Sequence, residues 1–317
     1  MTPPTICPPA RNRVASVAAM VAVLAAAGCG EPSRDLVSSE RPTTADAGAG
    51  RDEPAALDTA PPREPSPIET LRRELNLPGE GVFKRAGRSI VVADLSFTDV
   101  DDLSPLADVG LKSLDIRGTP VTDLSPLAGT RIDELFAEKT GVTDIGPLQG
   151  LPLDRLYLAD TGVADLSPLR GMRLDELNLV GTPVADLSPL AGQRIGTLWL
   201  RRTKVADIGP LSGVPLVSLD IAETAVSDLS PITETATLRR LQIADTNVSD
   251  LTPLAGLSLE RLVFTPSNIT KGLNVVRGMT SLRQLDTRFD LEGEGRTLTP
   301  AEFWTRFDAG DASPTGG

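Results

Sequence analysis

The sequence predicts a repeat solenoid, a stack of near-identical coils with a parallel β-sheet along one face and short helical turns along the other. Three observations carry this. A five-residue motif, Asp-Leu/Ile-Ser/Gly/Thr-Pro-Leu/Ile, begins at Asp102, Asp123, Asp144, Asp165, Asp186, Asp207, Asp228 and Asp250, so the period is 21 residues six times and 22 once. A second pattern, apolar at its first, fourth and sixth positions, precedes each copy: "LKSLDI" at Leu111, then equivalents from Ile132, Leu153, Leu174, Ile195, Leu216, Leu238 and Leu259. The chain is 40% hydrophobic, enough for a sizeable core, yet proline and glycine punctuate every unit. A fixed period of 20 to 50 residues marks units that bury their apolar edges only by stacking on one another.

Each element follows from its local pattern. Alternation within L-x-L makes a short strand with the leucines facing inward, and stacked strands pair in parallel at ~4.8 Å. A degenerate copy, "IVVADL" from Ile90, opens the array and "LRQLDT" from Leu282 closes it, giving ten rungs and about 45 Å between the first and last strands. In the return segment, Ser104, Ser125, Gly146, Ser167, Ser188, Gly209, Ser230 and Thr252 are N-cap types, each followed by proline. That order predicts one short helical turn per unit, of the 3₁₀ kind, with the serine-type residue as its cap. An aspartate just ahead of such a turn bonds its own backbone two residues on, and this is preferred here over a calcium ladder, since no Gly-rich calcium repeat is present.

The hexamers resemble the leucine-rich repeat, L-x-x-L-x-L-x-x-N-x-I/L, over about 200 residues. The short "DLSPL" return is similar to internalin-type bacterial repeats and to repeats appended to some bacterial serine/threonine kinases. The resemblance implies a right-handed horseshoe with the parallel sheet on its concave face and the turns on its convex face. Threonine replaces the usual asparagine at Thr98, Thr119, Thr140, Thr161, Thr182, Thr203, Thr224 and Thr246, with Ser267 following. A hydroxyl both donates and accepts, so a threonine column can satisfy turn backbone in the same place.

The ends read as lids, which solenoids need because their terminal leucines otherwise face water. "SPIE" at Ser66 and "TPAE" at Thr299 are capping boxes with proline at the first helical position. Ile68, Leu71 and Leu75 give the first helix an apolar face, "GVFKRAGRSIVV" after it predicts a hairpin, and Phe303, Trp304 and Phe307 give the last helix its apolar face. The expected organisation is an export signal over 1–28, a disordered tether over 29–65, an N-terminal cap over 66–89, repeats over 90–287, a C-terminal cap over 288–309 and a disordered tail over 310–317.

Arg11 and Arg13 precede an apolar stretch too short for a membrane span and ending in small residues. The junction "AAGC" resembles the lipobox of bacterial lipoproteins, in which Cys29 becomes the lipidated first residue; an ordinary cleavage after Gly28 is the alternative. Removing residues 1–28 takes Cys7 and two arginines, so a net charge of -12 becomes -14 and one cysteine remains, with no intramolecular disulfide. The tether lacks apolar periodicity, and as a flexible coil it spans roughly 30–35 Å.

The acidic balance argues against a nucleic-acid partner. No histidine is present, which removes the commonest general base and metal ligand. No metal cluster, cofactor motif or nucleophile elbow stands out, so a non-enzymatic module without cofactors is expected. In a leucine-rich repeat the variable positions flanking the fourth-position leucine face the concave side. The later position runs Asp94, Asp115, Phe136, Tyr157, Asn178, Trp199, Asp220, Gln242, Val263, Asp286; the earlier contributes Glu134, Arg155, Glu176 and Thr197. Aromatics are only 3% of the chain, yet three fall within four consecutive rungs. Rung spacing places Phe136 beside Tyr157 and Trp199 about 10 Å further on, with Asn178 between. Phe136, Tyr157, Asn178, Trp199, Arg155 and Arg201 are the candidate partner-binding residues, since aromatics with arginine on a polar face have hot-spot composition. The rings otherwise stack across strands to stiffen the sheet. The expected partner is a protein, with cell-wall polysaccharide as the alternative, met in the cell envelope by a lipid-anchored chain outside the cytoplasmic membrane.

Overall fold

The computed structural model describes residues 65–77, 79–287 and 298–311. The expected export signal, Cys29 and the tether up to Glu64 lie outside these, as do residues 288–297 of the C-terminal cap and 312–317 of the tail.

Helix α1 (Pro67–Glu74) precedes β1 (Val82–Ala86) and β2 (Ser89–Asp94). Nine further strands follow: β3 (Ser113–Asp115), β4 (Glu134–Phe136), β5 (Arg155–Tyr157), β6 (Glu176–Asn178), β7 (Thr197–Trp199), β8 (Ser218–Asp220), β9 (Arg240–Ile243), β10 (Arg261–Phe264) and β11 (Gln284–Asp286). They form one open sheet in chain order, in which β1 pairs antiparallel with β2 and every later neighbour is parallel. The ten parallel rungs and the opening hairpin are those the sequence predicts. The inward residue of each strand, from Ala93 and Leu114 through Leu135, Leu156, Leu177 and Leu198 to Leu285, is fully buried in one continuous core. A parallel leucine-rich-repeat solenoid results.

Three-residue 3₁₀ turns from Ser104, Ser125, Gly146, Ser167, Ser188, Gly209, Ser230 and Thr252 close the return of each unit. Their capping differs from the expectation. The N-cap position of the first is Leu103, which makes no side-chain cap bond, and Ser104 is already helical. The capping oxygen comes from the aspartate: Asp102 Oδ1 accepts the Ser104 N–H at 2.8 Å, and Asp123, Asp165, Asp186, Asp228 and Asp250 repeat the bond. A carboxylate two residues ahead reaches the first unpaired N–H of so tight a turn, and the serine, inside the turn, leans back on the same carboxylate, as Ser167 Oγ does on Asp165 at 2.7 Å.

The threonine column does what the sequence suggests. Thr98, Thr119, Thr140, Thr161, Thr182, Thr203, Thr224 and Thr246 donate their hydroxyls to the carbonyl three residues back at 2.6–2.8 Å. Ser267 departs, meeting only the Asn268 side chain at 3.4 Å, while Asn268 Nδ2 donates to the Thr246 carbonyl at 3.1 Å.

Both capping boxes are formed, at Ser66/Glu69 and Thr299/Glu302. Helix α2 (Leu273–Arg277) is unforeseen: the last return, "NITKGLNVVRGMT", lacks the Asp-Leu-Ser-Pro-Leu motif and makes an α-helical turn after Gly272 at φ +82°. Helix α3 (Pro300–Asp308) closes the stack, its Phe303 fully buried against Phe264, and Arg277 of α2 lies 4.4 Å over the Trp304 ring while pairing with Asp308 at 2.7 Å.

Candidate partner-binding face

The strand register assembles the predicted concave column without a slip. Asp94, Asp115, Phe136, Tyr157, Asn178, Trp199, Asp220, Gln242, Val263 and Asp286 lie opposite one another in turn. All three rings are half-buried. Phe136 and Tyr157 have centroids 5.0 Å apart, within stacking range. The gap expected between Tyr157 and Trp199 is closed: their centroids are 5.8 Å apart. Asn178 makes this possible by folding back, its Oδ1 accepting the Val180 N–H at 3.1 Å, so the larger rings lean together over it. Asp94, Asp115 and Asp220 make the same bond to the backbone two residues on. Asn178 therefore holds a turn.

The flanking columns surround the rings with paired charge. Arg155 bonds Glu134 at 2.9 Å and lies 3.9 Å from Glu176, whose carboxylate also accepts the Tyr157 hydroxyl. Arg117 binds Asp115 at 2.6 Å and lies 3.9 Å from Glu138, with its guanidinium 5.8 Å over the Phe136 ring. Arg201 lies 3.5 Å from Asp220, 3.9 Å from Glu223 and 3.3 Å from Gln242 Oε1. Outside these, Arg202 reaches Asp160 at 3.2 Å, two rungs away across Gly181. Burial pushes the Glu138 and Asp220 carboxyls up, and the hydrogen bonds that Arg117 donates to Asp115 raise the guanidinium. Burial, then the bond to Glu176, pushes the Tyr157 phenol well above the ordinary tyrosine value.

The structure thus brings Phe136, Tyr157, Trp199 and Arg155 into one surface, sets Arg201 at its edge, and ties both arginines into the chain's own ion pairs. Arg117, Glu138, Asp160 and Glu223, as participants in these pairs, are the residues the sequence reading missed. For Arg117 and Glu138 the signal was available: the period of 21, read two residues beyond the ring column, gives Arg117, Glu138, Ala159, Val180 and Arg201 in register. Phe97 was also missed. It stands 74% exposed with φ +59°, at the left-handed position that Gly118 and Gly181 occupy in later rungs. Among the described residues no group of three or more acidic, cysteine or histidine side chains could hold a metal ion, and no helix is long and apolar enough to cross a membrane.

No protein-family model matches the sequence, and no curated protein matches it. Among solved structures the chain is similar to internalin C2 of Listeria monocytogenes, at 24% identity and a TM-score of 0.50, covering 63% of this chain and 93% of that one. It is also similar to a leucine-rich-repeat protein of Leptospira interrogans, at 17% identity and a TM-score of 0.47, over 61% of this chain and 54% of that one. At these identities the first likeness shows the shared fold, and the chain spans about half the length of the Leptospira protein.

Proposed function

We propose that the chain is a non-enzymatic binding module that engages a protein partner through the concave face centred on Phe136, Tyr157 and Trp199. One observation carries this: three of the chain's few aromatic residues are gathered, half-buried, on one sheet face, in a column whose other occupants are mostly Asp, Asn and Gln. Such rings offer large contact area at small entropic cost, as binding hot spots do. Removal of the lipobox-like leader, with acylation of Cys29, would hold the domain in the cell envelope on its tether.

The test is binding of full-length protein to fractionated envelope proteins and, separately, to purified cell-wall polymer. Saturable binding to a protein fraction, lost in a Tyr157→Ala, Trp199→Ala double variant that keeps its circular dichroism, is the expected result. Binding to polymer alone, or protein binding untouched by the double variant, overturns the assignment. Metabolic labelling with a radioactive fatty acid, lost in Cys29→Ser, checks the anchor.

A further inference from the structure

We infer that the partner segment seated on the aromatic cluster presents a cationic side chain, lysine or arginine, to it. This rests on the proposal that the concave face binds a protein, and adds the chemistry of what it binds.

The charges around the rings set the sign. Each of Arg117, Arg155 and Arg201 sits between two carboxylates: Asp115 and Glu138, Glu134 and Glu176, Asp220 and Glu223. Six carboxylates less three guanidiniums leave the three clusters at -3, and the Asp160 to Arg202 pair adds nothing. The arginines, which in sequence look like bait for an acidic partner, already have their charge matched within the chain. An incoming carboxylate would have to displace one of these pairs and would lie within a few ångströms of its carboxylates. A cation meets a residual negative charge and the faces of the rings, which attract it further.

The face already holds one example of this chemistry. Arg117 lies over the Phe136 ring with Asp115 and Glu138 beside it, an aromatic and carboxylate cradle filled from within. Glu138 Oε2 in that cradle is buried and accepts no hydrogen bond. On the C-terminal side the footprint ends where β9 and β10 set two guanidinium-bearing residues, Arg240 and Arg261, opposite each other. A cationic segment is therefore steered to β3 through β8 and away from the last rungs.

The experiment titrates the full-length protein with three heptapeptides of glycine and serine that differ only at two central positions, carrying lysine, norleucine or glutamate. Quenching of Trp199, obtained by difference from Trp199→Phe, reports binding at low ionic strength. The lysine peptide is expected to bind at least about fivefold more tightly than norleucine, a difference of about 1 kcal/mol, and to lose most of that advantage at about 0.3 M salt. The variant Glu134→Gln, Glu223→Gln, isosteric and on partly exposed side chains, should cut the lysine affinity about threefold or more while leaving norleucine unchanged. Equal binding of lysine and norleucine, tighter binding of glutamate, or no saturation with lysine by about 10 mM overturns the inference. If lysine shows no preference but Tyr157→Ala, Trp199→Ala still abolishes capture of an envelope protein, the cationic reading fails and the binding face stands. If that capture never depended on the rings, the face itself is wrongly placed.

Discussion

Tyr157 and Trp199 meet with ring centroids 5.8 Å apart although a whole strand, bearing Asn178, runs between theirs. The contact shuts the Tyr157 phenol into a half-buried site where its hydroxyl donates to Glu176. Because the chain has a single tyrosine, ultraviolet titration of the native protein reads Tyr157 alone. Its midpoint is expected well above the ordinary value of about 10, and Glu176→Gln should lower it. The sign follows from linkage: the phenol's folded pKa is raised, so its contribution to stability is whole below the unfolded value and is lost as pH climbs through the folded one. A native midpoint near the ordinary value would refute the packing described.

The threonine column makes a sharper prediction about the fold. Thr161 is buried and donates Oγ1 to the Leu158 carbonyl at 2.7 Å. Thr161→Val keeps the shape but strands that carbonyl, at a cost of about 1–3 kcal/mol. Thr161→Ser, which keeps the hydroxyl, should recover most of it in urea denaturation. Equal loss in both variants would assign the column to packing.

Most of this fold was legible before any coordinates, because each repeated residue reports on one environment many times over. The period located the turns, L-x-L located the strands, and their product gave the concave column in register. What stayed hidden depends on single occupants of repeated positions. Nothing in "LDELNL" says that Asn178 will fold back on Val180 and let its neighbours touch. The pairing of Arg202 with Asp160, two rungs apart, needs Gly181 between them, a relation across 42 residues that no local pattern encodes. The return "NITKGLNVVRGMT" lost the motif and with it the prediction of its helix.

The aspartate ladder predicts an acid-sensitive array. Asp186 accepts both the N–H and the hydroxyl of Ser188, and these bonds hold its carboxyl below the usual range, as the matching bonds do for Asp102, Asp123, Asp165, Asp228 and Asp250. A depressed folded pKa gives stability that is present above the unfolded value, about 3.9, and lost as pH falls through the folded one. Asp186→Ala should therefore melt below the parent at about pH 7, with the gap closing near about pH 2. A gap that persists in acid would mean the carboxylate is not the stabilising form.

Two glycines separate backbone strain from collision. Gly150 has φ +75° and a Cβ there would meet nothing within 4 Å, whereas at Gly181, φ +71°, it would stand 2.4 Å from Asp160 Oδ1. Gly150→Ala should lose about 1–2 kcal/mol, the left-handed penalty alone. Gly181→Ala should lose more, because the Asp160 to Arg202 pair must also move. Adding Asp160→Asn should shrink the Gly181→Ala loss if the clasp supplies the excess, and leave it unchanged otherwise.

The C-terminal lid tests how far one rung depends on the next. Phe303 of α3 is fully buried, packed on Phe264 of β10 at 5.7 Å and on Phe307 and Trp304 within its own helix. Phe303→Ala should cost about 3–5 kcal/mol where it acts. In a solenoid each unit contacts only its neighbours, so stability is close to a sum of rung and interface contributions. The loss should therefore be graded along the chain. In hydrogen exchange, amides of β10 and β11 lose protection first, while Leu135, Leu156 and Leu177 at mid-array keep nearly all of theirs. Leu156→Ala, which cuts the core in the middle, should instead weaken the rungs on both sides of β5. If Phe303→Ala lowers protection equally from β2 to β11, the array unfolds as one cooperative block; the stacking between rungs is then too strong for the ends to open separately.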